Sequence, residues 1–218
     1  MFPLQMRSLL ISSLTLLLAG CGSAYKSLQP SAGDPFCIQA FRPAFTAELY
    51  KARVEVVGKN LSGLLLIKTM EDSTRRVVFS TETGVKFFDF EFGQQGVFRK
   101  HFVMKRLNKK MVVDALRNDF DLVMMNGIGE EAGQVARREG NWYYGYERGK
   151  KIAWYQTDAN CSELLHAELG SKRKKLVEAK LFSAAAGPWR KGTVLAPDSV
   201  FIQHHNFNFN ISLKKLDR

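Results

Sequence analysis

The sequence predicts a mainly β fold of the α+β kind: a strongly curved antiparallel sheet of about ten strands, with one amphipathic helix long enough to lie across it. Three observations carry that prediction. Residues 50–106 alternate apolar and polar side chains over five runs joined by short turns. Residues 109–125 change to a helical period, and residues 141–214 return to alternation.

The chain opens with an export signal. Leu9 to Leu18 is apolar but far short of the roughly 20 residues that span a bilayer. Arg7 precedes it and small residues follow, as in a secretory leader. Leu18-Ala19-Gly20-Cys21 resembles the bacterial lipobox, which implies cleavage before Cys21 and acylation of its sulfur. A plain signal peptide with an accidental Cys is the alternative. Residues 1–20 then form the leader, and 21–36 a lipidated tether whose small, polar, Pro- and Gly-punctuated sequence suits a flexible linker. Residues 37–218 form a single domain. More than one acyl chain makes such an anchor stable. Gly22 in place of Asp, and no acidic residue before Asp34, point by known sorting rules to the outer membrane, facing the periplasm. That compartment permits disulfides, so Cys37 and Cys161 read as a candidate pair, with two free buried thiols as the alternative.

Loss of the leader removes Arg7 and takes the net charge from +11 to +10. Export excludes nucleic acid as the partner of that charge, which leaves anionic lipid at a membrane surface.

In the first half of the domain Tyr50, Ala52, Val54 and Val56 share one face. The denser run 62–70 reads as a strand covered on both faces. Strands over 74–81 and 85–92 follow, the second with Phe88, Phe90 and Phe92 together and Phe87 beside Asp89 on the other side. The run 97–106 closes the meander, with Phe98, Phe102 and Met104 on one face. Asn108 is placed to cap a helix whose stripe is Val112, Leu116, Phe120 and Val123 or Met124, stopped at Asn126-Gly127. Residues 127–140 read as a polar connection, four hairpin strands follow, and 199–216 reads as one long closing strand.

This order of lipobox, meander, helix, hairpins and closing strand is similar to the LolA/LolB family of lipoprotein carriers. The best local match is "STRRVVFSTETGVKFFDFEF" with "NKKMVVDALRNDFDLVMM", and "PDSVFIQHHNFNFNISLKKL" resembles the family's last strand. The resemblance implies an unclosed barrel whose hollow takes lipid or lipoprotein acyl chains. Phe88, Phe90, Phe102, Phe207 and Phe209 are then candidates to line it, with Leu116 and Phe120 in the cover; a filled core is the alternative. The family's outer-membrane receptor carries an exposed apolar residue on a turn. Thr81-Glu82-Thr83-Gly84 has none, which argues against insertase activity.

Other chemistry finds little support. His204 and His205 are adjacent and so face opposite sides of a strand, unable to share a metal. His101 and His166 have no carboxylate at an informative spacing, and no nucleophile elbow or phosphate-binding loop is present. No catalytic residue, metal or cofactor is expected, and the chain reads as a monomer. Arg148, Lys150 and Lys151 form one hairpin tip, and Lys172, Arg173, Lys174 and Lys175 the next but one, so both belong at one end of the sheet. Either they serve solubility or they dock on anionic headgroups at about 1 kcal/mol per residue.

Overall fold

The computed structural model describes residues 23–216, apart from 57, 130–132, 172, 184–186 and 194. Cys21 and the leader lie outside the described residues. Among the described residues, fourteen strands form a single sheet. They are β1 (Gln29–Pro30), β2 (Ala47–Val56), β3 (Lys59–Thr69), β4 (Arg75–Ser80), β5 (Lys86–Phe92), β6 (Phe98–Val103) and β7 (Gln134–Arg138), followed by β8 (Asn141–Arg148), β9 (Lys151–Thr157), β10 (Glu163–Gly170), β11 (Lys175–Phe182), β12 (Trp189–Arg190), β13 (Ser199–His204) and β14 (Phe209–Lys215). Every pairing is antiparallel. The order β1-β7-β8-β9-β10-β11-β13-β14-β2-β3-β4-β5-β6 leaves β1 and β6 as free edges, with β12 paired to β10. The chain folds as an unclosed antiparallel sheet with one α-helix among the described residues, α1 (Lys110–Val123).

The five-strand meander runs as the alternation demands. Tyr50, Ala52, Val54 and Val56 are buried together on β2, and Leu65 and Ile67 on β3. Leu64 and Leu66 are only half-buried, so β3 is covered fully on one face alone. Two irregularities redirect side chains. The register shifts by a residue between Phe79 and Ser80, which brings both Phe87 and Phe88 against Phe79, at 4.7 and 5.7 Å between ring centres. A second shift, between Asp89 and Phe90, pairs Asp89 with Phe102 but Phe90 with Lys100. A one-residue slip exchanges the faces of a strand. Phe98 therefore packs inward on Phe90 and Phe92, while Phe102 is turned out and is 44% exposed. The expected common face of Phe98 and Phe102 does not exist.

Helix α1 starts after Lys109, not Asn108, with no side-chain cap. Val112, Leu116, Phe120 and Val123 are buried as the stripe requires. The expected closing strand is a hairpin: β13 and β14 pair, and residues 205–208 form its turn. Turning the chain resets the alternation, so Ile202 and His204 point inward on β13 while Phe201 is 51% exposed. Strand β7 lies where a polar connection was expected.

The segment 23–36 is not a free tether. Gln29 and Pro30 pair with Arg137 and Ala136. Tyr25 stacks on Trp154 at 5.8 Å, its hydroxyl donates to Glu168 at 3.1 Å, and the Ala24 amide donates to the Arg173 carbonyl at 3.0 Å. Tyr25 and Leu28 join Ala136, Tyr143, Ile152 and Trp154 in a small apolar cluster. Tyr144 and Tyr155, next in sequence to Tyr143 and Trp154, belong to the main core. Alternation thus places this cluster on the opposite face of the sheet. Cys37 and Cys161 are joined by a disulfide, 124 residues apart in sequence with Cα atoms 6.6 Å apart.

Candidate functional site

Helix α1 packs its buried stripe against the sheet, next to β10 and β11. Phe88 contacts Phe90 at 4.7 Å and Phe120 at 6.0 Å between ring centres, and Phe92 meets Phe120 at 6.3 Å. Phe88, Phe90, Leu116, Phe120 and Phe209 are all at most 2% exposed. These five expected lining residues pack against one another and the core; the interior they occupy is filled. Phe102, on the outside, lines nothing. Of the expected set, Phe207 borders a surface pocket.

That pocket is a mouth of about 460 Å³ beside the first half of α1. Met111 and Ala115 of the helix form one wall, and Leu169, Leu176, Val177 and Phe207 the other. Phe207 is held by ring contacts to His204 at 4.8 Å and Phe209 at 5.7 Å. His204 Nε2 in turn lies 2.9 Å from Asp119 Oδ2, both side chains buried. Burial raises the Asp119 pKa although the hydrogen bond and charge of His204 pull it down. His205 is exposed, in the turn that follows β13.

A second, polar cleft of about 1030 Å³ runs along the other flank of α1. It draws on the β3–β4 and β5–β6 turns from one half of the sheet and the β8–β9 turn from the other. Arg75 donates to the Met124 carbonyl at 3.2 Å and to Asn126 Oδ1 at 2.6 Å, tying β4 to the end of α1. Asn126 passes a hydrogen bond on to Asp121 at 2.7 Å. Burial raises the Asp121 pKa against the opposing pull of Asn126, Arg148, Arg117 and Arg75. Arg148 Nη1 sits where a Cβ on Gly127 would fall, 2.7 Å away; Gly127, at φ +67°, supplies both the space and the left-handed turn.

The two basic turns lie at the same end of the sheet, since Ile152 pairs with Gly170. Arg148, Lys150 and Lys151 border the cleft. Arg173 and Lys174 are exposed, Lys175 contacts Glu168 at 3.5 Å and Glu178 at 2.5 Å, and Lys172 lies outside the described residues. His166, Glu168 and Glu178 gather closely enough to suggest a metal. The Lys175 ammonium already bridges the two carboxylates, so this cluster carries its own cation. Both histidines read as lacking carboxylates have them: His166 lies 2.6 Å from Glu168 on its own strand, and His101 lies 2.8 Å from Glu91 across the β5–β6 pair. Spacing of two along a strand was the available signal for the first. The β4–β5 turn also has an exposed apolar residue, Val85 at 54%, one position beyond Thr81-Glu82-Thr83-Gly84.

No family model and no curated protein matches this sequence. Among solved structures, the chain is similar to a DUF1329 family protein from Desulfovibrio piger, at 9% identity and a TM-score of 0.45, over 87% of this chain and 92% of that one. It is also similar to a Vibrio parahaemolyticus domain named for outer membrane lipoprotein sorting, at 11% identity and a TM-score of 0.31, over 82% and 87%. Neither likeness carries an argument about function.

Proposed function

We propose that the chain is a non-enzymatic carrier of the bacterial envelope, which takes an apolar chain from a lipid or an acylated protein. The observation that carries this reading is the mouth beside α1. Its volume of about 460 Å³ falls in the range of small-ligand sites, roughly 300–1,000 Å³, and half of its lining residues are apolar, Met111 and Phe207 among them. Met111 at its lip is 58% exposed and so within reach of an entering apolar chain.

The leader and Cys21 support acylation and attachment to the outer membrane on its periplasmic side. Only Gly22 and Ser23 then separate the acylated residue from Ala24, which is hydrogen-bonded to Arg173. So short a link holds the β10–β11 turn at the membrane surface, where Arg173 and Lys174 meet anionic headgroups.

Every described strand, α1 and the disulfide lie within residues 23–216, so a chain beginning at Ser23 is the form to assay. It is expected to carry lipid into organic extracts and to take up a fluorescent fatty acid, with uptake cut at least about tenfold by Met111→Asp. A clean extract and no uptake overturn the reading. The packed Phe88–Phe90–Phe120 interior then favours a filled-core assembly accessory acting through its surface.

A further inference from the structure

The polar cleft and the apolar mouth share Asp114, Asn118 and Lys151, so they meet along α1 as one continuous site. We propose that this site takes an amphiphile with an anionic phosphate head group, the head in the cleft and the chain in the mouth. The proposal rests on the carrier reading and adds the chemical class of the ligand.

Charge decides the class. Among the described residues, six cations border the cleft: Arg42, Arg75, Arg117, Arg148, Lys150 and Lys151. Three carboxylates, Asp114, Asp121 and Glu147, oppose them. Two of the three are already engaged. Lys110 contacts Asp114 at 2.5 Å, and Asp121 is engaged by Asn126 at 2.7 Å and Arg117 at 3.8 Å. The surplus is therefore positive and partly withdrawn from water, where a fixed charge attracts counter-ions most strongly.

One buried guanidinium nitrogen also lacks an acceptor. Arg148 Nη2 is buried with no hydrogen-bond partner among the described residues. Burial, and then the nearby charge of Arg42, works against the Arg75 cation. A buried donor without a partner costs more than a made hydrogen bond returns. A phosphate oxygen supplies both the acceptor and the counter-charge, in the fork geometry that suits a guanidinium. Inorganic phosphate alone leaves the mouth and most of the cleft unused. A lipid phosphate with its chain uses both.

The test uses the full chain in neutral maltoside micelles, titrated with phosphatidylglycerol, with diacylglycerol of the same chains, and with glycerol 3-phosphate. Phosphatidylglycerol is expected to bind at least about tenfold tighter than either. Arg148→Gln is expected to remove that preference and leave diacylglycerol binding unchanged. Lys150→Gln, at an exposed turn position that disturbs no packing, is expected to reduce it about two- to threefold. Equal binding of the two lipids in every variant overturns the proposal and leaves the carrier reading standing. Glycerol 3-phosphate binding as tightly as phosphatidylglycerol also overturns it and marks the cleft as a site for free phosphate. If neither lipid binds, the carrier reading fails and the proposal goes with it.

Discussion

His204 Nε2 and Asp119 Oδ2 lie 2.9 Å apart in the seam between β13 and α1, with side chains 3% and 0% exposed. Asp119 Oδ1 has no partner among the described residues. Removing one member of such a pair strands the other in a dry seam. His204→Ala is thus expected to cost about 3–5 kcal/mol by chemical denaturation, and the joint change Asp119→Leu with His204→Phe to recover most of it. Single variants within about 0.5 kcal/mol of the wild type would show that the pair does not hold α1 down.

The Cys37–Cys161 bridge closes a loop of 124 residues and ties the short 3-10 turn Cys37–Phe41 to the β9–β10 loop. Replacing both cysteines by serine is expected to lower stability by about 2–4 kcal/mol. The check is the urea midpoint of the oxidised wild type against the double variant; coincident transitions refute it.

Acid should loosen the face that binds Tyr25. Burial by itself raises the Glu168 carboxyl, but His166, Lys175 and the Tyr25 hydroxyl outweigh it and hold the pKa below the ordinary 4.5. Glu178, on balance, is lowered too: burial raises it, while Lys175, His166 and Lys180 pull it down further. A carboxylate depressed by folding contributes stability in full above its unfolded pKa, and that contribution is lost as pH falls through the folded value. Stability should therefore drop below about pH 4.5, with a shallower slope in Glu168→Gln. Identical slopes for the two proteins exclude Glu168 as the source.

Tyr25 is the clamp on the N-terminal segment. A Cβ on Gly170 would fall 2.2 Å from the Tyr25 hydroxyl, so only glycine admits the ring. Tyr25→Ala is expected to expose residues 23–30 to proteolysis and amide exchange while the main core keeps its protection. Unchanged exchange in that segment would mean that the β1–β7 pairing suffices without the ring.

Local rules reached far along this chain. The meander, the buried face of β2, the stripe on α1 and the mainly β class all follow from periodicity, because burial of one face imposes a period of two or about 3.6 wherever the element is regular. The even number of cysteines after Cys21 likewise allowed the Cys37–Cys161 bridge. Asp119 could have been noticed as a carboxylate three residues past Leu116, on the apolar stripe itself.

What tertiary structure decided are the places where regularity breaks. One extra residue in β6 turns Phe102 out and keeps Phe98 in, and a turn at 205–208 divides what alternation reads as one strand. A period of two continues unchanged through either event, so the sequence holds no mark of it. Whether Phe88 and Phe120 bound a hollow or fill a core depends on how far the curved sheet closes on α1. The gathering of Arg42, Arg75, Arg117 and Arg148 around one cleft depends on the same curvature. The sequence by itself determined which side chains are withdrawn from water wherever a strand or helix stays regular; the breaks in that regularity and the distance between the walls were set by long-range packing, which no local pattern encodes.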